Sequence, residues 1–313
     1  MKRIVSLSLV FILALFVLVG CGNKDKGNTE KTYTLATGVA VTDTLASSKV
    51  AETVASIVTD ADGKIVLCRL DCVEYVAYDK DGNVVTAAPV SKVALGEDYD
   101  AGNFMAKGDW YKQAEAVEAA AVGKTQAEVA ALANETGYAA DTELAASCSI
   151  NIKDLLKAID NAFKSEHKVS FKSAATAFTA GLSVTGSVSV NENEETAKTS
   201  IKHSATFATA VLADGKVVAA ILDTAEPELV GVTADGTESL SYKGSKREQG
   251  DAYDSYSPMP AGRWYEQADA YAAAAVGKSA ADIATLASEG VAGCTVYAGG
   301  YKAGIEAAVK AAR

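Results

Sequence analysis

The chain is written twice. Ala61-Asp62-Gly63-Lys64-Ile65-Val66 recurs as Ala213-Asp214-Gly215-Lys216-Val217-Val218, and Gly96-Glu97-Asp98-Tyr99-Asp100 as Gly250-Asp251-Ala252-Tyr253-Asp254. Asp109-Trp110-Tyr111-Lys112-Gln113-Ala114 returns as Arg263-Trp264-Tyr265-Glu266-Gln267-Ala268. Val122-Gly123-Lys124-Thr125 returns as Val276-Gly277-Lys278-Ser279, and Cys148-Ser149-Ile150 as Cys294-Thr295-Val296. The order never changes, so whatever fold one copy adopts the other is expected to share. The expected division is a repeat domain at 32–164, a charged linker at 165–172 and a second repeat domain at 173–313. The 313 residues are long enough for two cores.

Each copy predicts the same elements. Apolar, β-rich runs at Tyr33–Thr42 and Val50–Asp60 precede the Asp62-Gly63 bend and a third run, Lys64–Val73. A second Asp-Gly at 81–82 turns the chain again. Trp110, Ala114, Val117 and Ala121 then share one helical face, and so do Trp264, Ala268, Tyr271 and Ala275. Gly123 and Gly277 suit helix stops. Thr125-x-x-Glu128 and Ser279-x-x-Asp282 suit capping boxes that open a further helix. A short strand through Cys148 or Cys294 and a closing helix, Lys153–Phe163 or Tyr301–Ala312, complete the unit. Strands before helices predict an α+β domain, a β-meander sheet packed by helices, in two tandem copies.

The N-terminus carries an address. Met1-Lys2-Arg3 leads into a 16-residue apolar run, Ile4–Val19, shorter than the ~20 residues of a spanning helix. Leu18-Val19-Gly20-Cys21 follows, and the segment resembles a bacterial lipoprotein signal with its lipobox. The resemblance implies cleavage after residue 20, a diacylglyceryl thioether on Cys21, and a membrane-anchored protein facing out of the cytoplasm. Residues 21–31 then read as a flexible tether. Loss of Lys2 and Arg3 leaves 27 basic against 40 acidic residues, net −13. That balance argues against nucleic acid as a partner.

Catalytic signatures are missing: there is no Gly-x-Ser-x-Gly, Gly-x-Gly-x-x-Gly or His-Glu-x-x-His. Gly123-Lys124-Thr125 lacks the first glycine of a phosphate loop, and Asp60-x-Asp62-Gly63 and Asp79-x-Asp81-Gly82 lack the full ligand run of a calcium loop. No metal site is expected. Cys68, Cys72, Cys148 and Cys294 read as buried small hydrophobes, with a disulfide from Cys148 to Cys68 or Cys72 as the alternative.

Two features point to a ligand. Tyr99, Asp100, Trp110 and Gln113, with Tyr253, Asp254, Trp264 and Gln267, combine aromatic faces with carboxylates and amides. Such a set suits a platform for a flat ligand such as flavin or a sugar. Alternatively, Trp110 packs its helix on the sheet and Tyr99 closes a loop. Separately, Glu289-Gly290-Val291-Ala292-Gly293-Cys294-Thr295 resembles the flavinylation motif of the FMN-binding domain family, matching it at Gly290, Gly293 and Thr295. Glu289, Ala292 and Cys294 depart from the motif. The first copy, Glu143 to Ser149, keeps only the acid and the final hydroxyl. The resemblance implies FMN on Thr295 and an electron-transfer role. The leading expectation is a non-enzymatic lipoprotein whose duplicated domains bind a small molecule or an envelope protein. The alternatives are an FMN-carrying redox lipoprotein and a purely structural surface protein.

Overall fold

A computed structural model describes residues 30–102, 105–175, 177–193, 198–233, 235–254, 259–296 and 298–313. Cys21, the signal and most of the tether lie outside the described residues. The first half runs β1 (Lys31–Thr44), β2 (Lys49–Thr59), β3 (Ile65–Val76), α1 (Lys92–Leu95), α2 (Trp110–Ala121), α3 (Gln126–Ala130), α4 (Thr142–Ser147), α5 (Lys153–Lys164) and β4 (Val169–Ser173). The second runs β5 (Thr179–Asn193), β6 (Lys198–Ala213), β7 (Lys216–Ala225), β8 (Glu228–Thr233), β9 (Gly236–Ser241), α6 (Lys246–Gln249), α7 (Trp264–Ala275), α8 (Ala280–Ala284) and α9 (Gly299–Lys310). The chain is α+β, with two antiparallel sheets packed by helices. Among the described residues no helix is long and apolar enough to cross a membrane.

The first sheet has the order β3-β2-β1-β4. In the second, β5 lies on one side of β6, β7 and then β8 pair along its other side, and β9 follows β8. The hairpins β2–β3 and β6–β7 both turn on Asp-Gly. Gly63 has φ 73°, and Asp60 Oδ1 accepts from the Asp62 and Lys64 amides at 3.0 and 2.9 Å. Asp214 and Gly215 are both at positive φ, 50° and 74°, the demand of a two-residue turn that follows sheet twist. Asp79 repeats the Asp60 arrangement, holding the Asp81 and Asn83 amides. These acids serve turns, and among the described residues no cluster of three or more His, Cys, Asp or Glu is placed for a metal.

The helices cover one face of each sheet, and the sheets cover each other's second face. α2 and α5 pack on small residues of the first sheet, including Ala36, Ala40 and Ala55. α7 and α9 do the same on Ala208, Ala210 and Ala220. Between the sheets, Val39, Val54 and Val73 meet Leu182, Val184 and Phe207, while Val50 and Tyr75 meet Ile201 and Leu229. The result is four layers, α-β-β-α. The strands show why. Val54-Ala55 and Ile57-Val58 are apolar at consecutive positions, which a sheet with a solvated face would not tolerate.

Polar contacts cross this interface as well. Ser56 Oγ donates to Thr209 Oγ1 at 2.8 Å, linking equivalent positions of β2 and β6. Glu52 pairs with His203 Nδ1, also accepts from the Ala205 amide at 3.1 Å, and is wholly buried with its partner. The His203 ring lies stacked 5.4 Å from Tyr75. At the C-terminus, Arg313 and Arg69 both reach Glu118, and Arg69 Nε donates to the Ala180 carbonyl at 2.8 Å.

Three expectations are corrected. The join at 165–172 is partly a strand: Val169–Ser173 pairs with the start of β1, because Phe171 stacks beside Tyr33. Lys31, placed in the tether, is the first residue of β1. The short strands through Cys148 and Cys294 do not form. A glutamine replaces the neighbouring strand: Gln113 Oε1 accepts from the Ser149 and Ile150 amides, and Gln267 Oε1 from those of Thr295 and Val296.

α5 lies so close to β1 that a Cβ on Gly38 would sit 2.2 Å from the Ala162 nitrogen. Gly38→Ala is therefore expected to lower the unfolding free energy in urea by about 2 kcal/mol or more. Gly300→Ala, with open space around it, is expected to be neutral or slightly stabilising.

Candidate ligand-binding site

The site begins with a buried carboxylate on the third strand of each sheet. Asp71 Oδ1 accepts from the Cys72 amide at 2.7 Å and, across the loop, from the Val93 amide at 3.0 Å. Asp223 does the same with Thr224 and Arg247. The start of α1 or α6, capped by Ser91 or Ser245, is thereby fastened to the strand. Burial pushes both acids up to about 6.

This anchorage aims a lysine inward. Lys92 Nζ lies 2.8 Å from Glu74 Oε1, 4.7 Å above the Tyr99 ring and 5.2 Å from the Trp110 ring. Lys246 lies 3.0 Å from Glu226, 4.9 Å from the Tyr253 ring and 5.3 Å from the Trp264 ring. Both are ion pairs under aromatic faces, a geometry that stabilises a desolvated ammonium. Burial works against the charges on Glu74 and Lys92. The nearby ammonium groups nevertheless hold Glu74 below the usual carboxylate range, and Cys72 and Glu74 lift Lys92 above an ordinary lysine.

The halves differ in front of the lysine. In the first, a cavity of about 220 Å³ opens over Lys92, Glu74 and Trp110. Lys49, which also reaches Glu74 at 3.1 Å, lines it with Asp43, Asn151 and Asp154. Thr42, Thr44 and Thr53 add hydroxyls, and Leu155 forms part of the wall. In the second, the place of Leu155 on the closing helix belongs to Tyr301, whose ring packs edge-on to Trp264 at 6.0 Å. The aspartate at 154 is matched by Gly300.

The residues expected from the sequence divide by orientation. Tyr99 and Trp110, like Tyr253 and Trp264, sandwich the lysine. Asp100 is buried, and its Oδ2 accepts from the Met105 amide at 3.2 Å. Asp254 is buried too, holding the Trp264 amide at 3.0 Å and pairing with Arg263 at 3.1 Å. Gln113 and Gln267 are wholly buried, with their amide nitrogens on the Gly108 and Gly262 carbonyls. These four residues hold loops together. Thr295 is exposed, its hydroxyl donating to Gln267 Oε1 at 3.0 Å. Ser149 makes the same contact with Gln113. The four cysteines of the body are buried free thiols, and burial pushes Cys72 up to about 12.

Lys92, Glu74 and Lys49 were not found by sequence reasoning. The signal was present in the self-comparison, since Ser91-Lys92 recurs as Ser245-Lys246 and Glu74 as Glu226. No family model, curated protein or solved structure matches the chain.

Two measurements follow from these buried groups. Gln113→Leu strips the partners from two backbone amides and a carbonyl, so a loss of about 2–4 kcal/mol is expected in urea unfolding. Asp71 and Asp223 bind protons more tightly when folded, so the stability they supply is complete below about pH 4 and is lost as pH rises through 6. The double variant Asp71→Asn, Asp223→Asn keeps an accepting oxygen. Its stability is expected to decline less between pH 4 and 7 than the parent's, by on the order of 3 kcal/mol.

Proposed function

We propose that this is a lipid-anchored, extracytoplasmic binding protein in which the first half holds the ligand and the second serves as its structural counterpart. The observation that carries the reading is the pair Leu155 and Tyr301. The same lysine, glutamate, tyrosine and tryptophan occur in both halves, but Leu155 lines a cavity together with Lys92, whereas Tyr301 stands against Trp264. An ion-paired lysine beneath a cavity whose walls alternate donors and acceptors suits a small neutral or zwitterionic ligand, such as a monosaccharide or an amino acid. A volume of about 220 Å³ is below the roughly 300–1,000 Å³ of sites for larger ligands, which argues against a whole flavin there.

The second reading, FMN joined to Thr295, is favoured by the exposure of that hydroxyl beyond Gly290 and Gly293, both at positive φ. It requires the Thr295 hydroxyl to leave Gln267 and attack the flavin-side phosphate of a flavin dinucleotide, so that the pyrophosphate bond breaks, FMN is carried as a phosphoester and the nucleoside monophosphate leaves. The anchor rests on Cys21 and the apolar run before it.

Calorimetry with monosaccharides, amino acids and FMN tests the first reading. Binding of a small polar ligand is expected, weakened at least about tenfold, or roughly 1.4 kcal/mol, by Leu155→Tyr. Glu74→Gln is expected to weaken it too and to lower the thermal midpoint, because it leaves the buried Lys92 ammonium without its carboxylate. Absence of binding by every neutral or zwitterionic compound overturns it. Intact mass resolves the other two assignments: a diacylglyceryl adduct on Cys21 is expected, and an FMN adduct lost in Thr295→Ala would establish the flavin carrier.

A further inference from the structure

A second cavity lies beside the Lys92 cleft. It has a volume of about 540 Å³, and its floor is Val129, Ala130, Ala133, Leu156 and Phe163, between α3 and α5. Thr42 and Asp154 line both cavities, so the polar cleft and the apolar one meet at these two residues. The rim of the apolar cavity carries both signs. Asp160 accepts from Gln126 at 2.8 Å and pairs with Lys164 at 2.7 Å and Lys157 at 3.6 Å.

The second half shows that the two cavities belong together. The consecutive positions 155 and 156 of α5 are matched in α9 by Tyr301 and Lys302. Leu155 walls the polar cleft and Leu156 floors the apolar cavity, whereas Tyr301 packs on Trp264 and Lys302 lies 3.8 Å from Glu306. Phe163, farther along the apolar floor, is matched by the smaller, buried Val309. One half thus carries apolar residues at all three places, and the other an aromatic ring, an ion pair and a smaller aliphatic.

We propose that the joined cavities form one site for a free amphiphile. Its small neutral or zwitterionic head sits over Lys92 and Glu74, and its single apolar arm runs past Thr42 and Asp154 onto Leu156 and Phe163. The inference rests on the reading of the Lys92 cleft as a ligand site and adds the chemistry of the rest of the ligand. A concave apolar floor inside a mixed-charge rim receives a single molecule. A bilayer surface would call instead for a projecting apolar or cationic face.

The test uses the full chain carrying Cys21→Ala, which removes the need for detergent, with matched probes below their micelle concentrations. The probes are glucose against hexyl and octyl glucoside, and phosphocholine against its hexyl and octyl esters. For at least one head, affinity is expected to rise about threefold with each added methylene. Leu156→Lys, which places in α5 the residue α9 already carries, is expected to abolish that dependence and leave the head's affinity unchanged. Leu155→Tyr is expected to weaken head and alkyl derivative alike, with thermal melts confirming that both variants fold. A head that binds with no gain from the chain, or a gain that survives Leu156→Lys, overturns the amphiphile and leaves the cleft as a polar site. A gain that Leu156→Lys removes and Leu155→Tyr leaves intact overturns the cleft reading, and the single site with it. No binding of any head or derivative overturns both.

Discussion

Everything in this protein depends on two sheets each burying both faces. A sheet covered by helices on one side still has a second apolar face, and each half supplies the cover for the other. Branched and aromatic residues such as Val54, Tyr75, Phe207 and Ile201 fill the space between the sheets, and small residues face the helices. The small residues let α5 and α9 come close enough that Gly38 and Gly181 have no room for a methyl group. Of the polar groups inside, Ser56 pairs with Thr209 and Glu52 with His203, while His203 Nε2 and Tyr242 OH are left without a partner among the described residues. Burial raises the Glu52 carboxyl despite the histidine beside it, so the pair suits a specific registration of the two halves better than added stability.

Duplication on such a frame separates two tasks. The aspartate that pins α1 or α6 to its strand, and the lysine held between a carboxylate and two rings, occur in both halves and serve the fold in both. The two clusters differ in what the closing helix sets beside them. Leu155 lines a polar cleft and Leu156 an apolar cavity that meet at Thr42 and Asp154, where the second half has Tyr301 and Lys302. The ion pair that holds the lysine is present in both halves, at 2.8 Å and 3.0 Å.

Periodicity made the elements legible. Trp110, Ala114, Val117 and Ala121 are all buried, as are Trp264, Ala268, Tyr271 and Ala275, and both capping boxes form where Thr125 and Ser279 place them. The candidate site was less legible. Tyr99 and Trp110 stood out because aromatic rings are rare in this chain, but Lys92 did not, because a single lysine in the otherwise uncharged stretch from Asn83 to Gly96 forms no pattern with its neighbours. Asp100 and Gln113 looked like ligand contacts, and both are spent on backbone amides. A side chain's type and spacing do not say whether its hydrogen bonds go outward to a ligand or inward to a loop. The same limit explains the missing strands at Cys148 and Cys294, where a glutamine from a helix 28 or 36 residues away supplies the acceptor a neighbouring strand would have given.

The sequence by itself determined the two-copy plan, the order and limits of most elements and the helix faces turned to the core, because these depend on contacts within a few residues. Only the tertiary structure decided that the two sheets lie face to face and that the join between halves becomes a strand. It also decided that Leu155 lines a cavity beside the first lysine cluster while its counterpart Tyr301 packs on Trp264 beside the second. These outcomes turn on contacts between residues about 150 positions apart, Ser56 with Thr209 and Glu52 with His203, and on the volume left by one side chain beside a ring that its neighbours in sequence never touch.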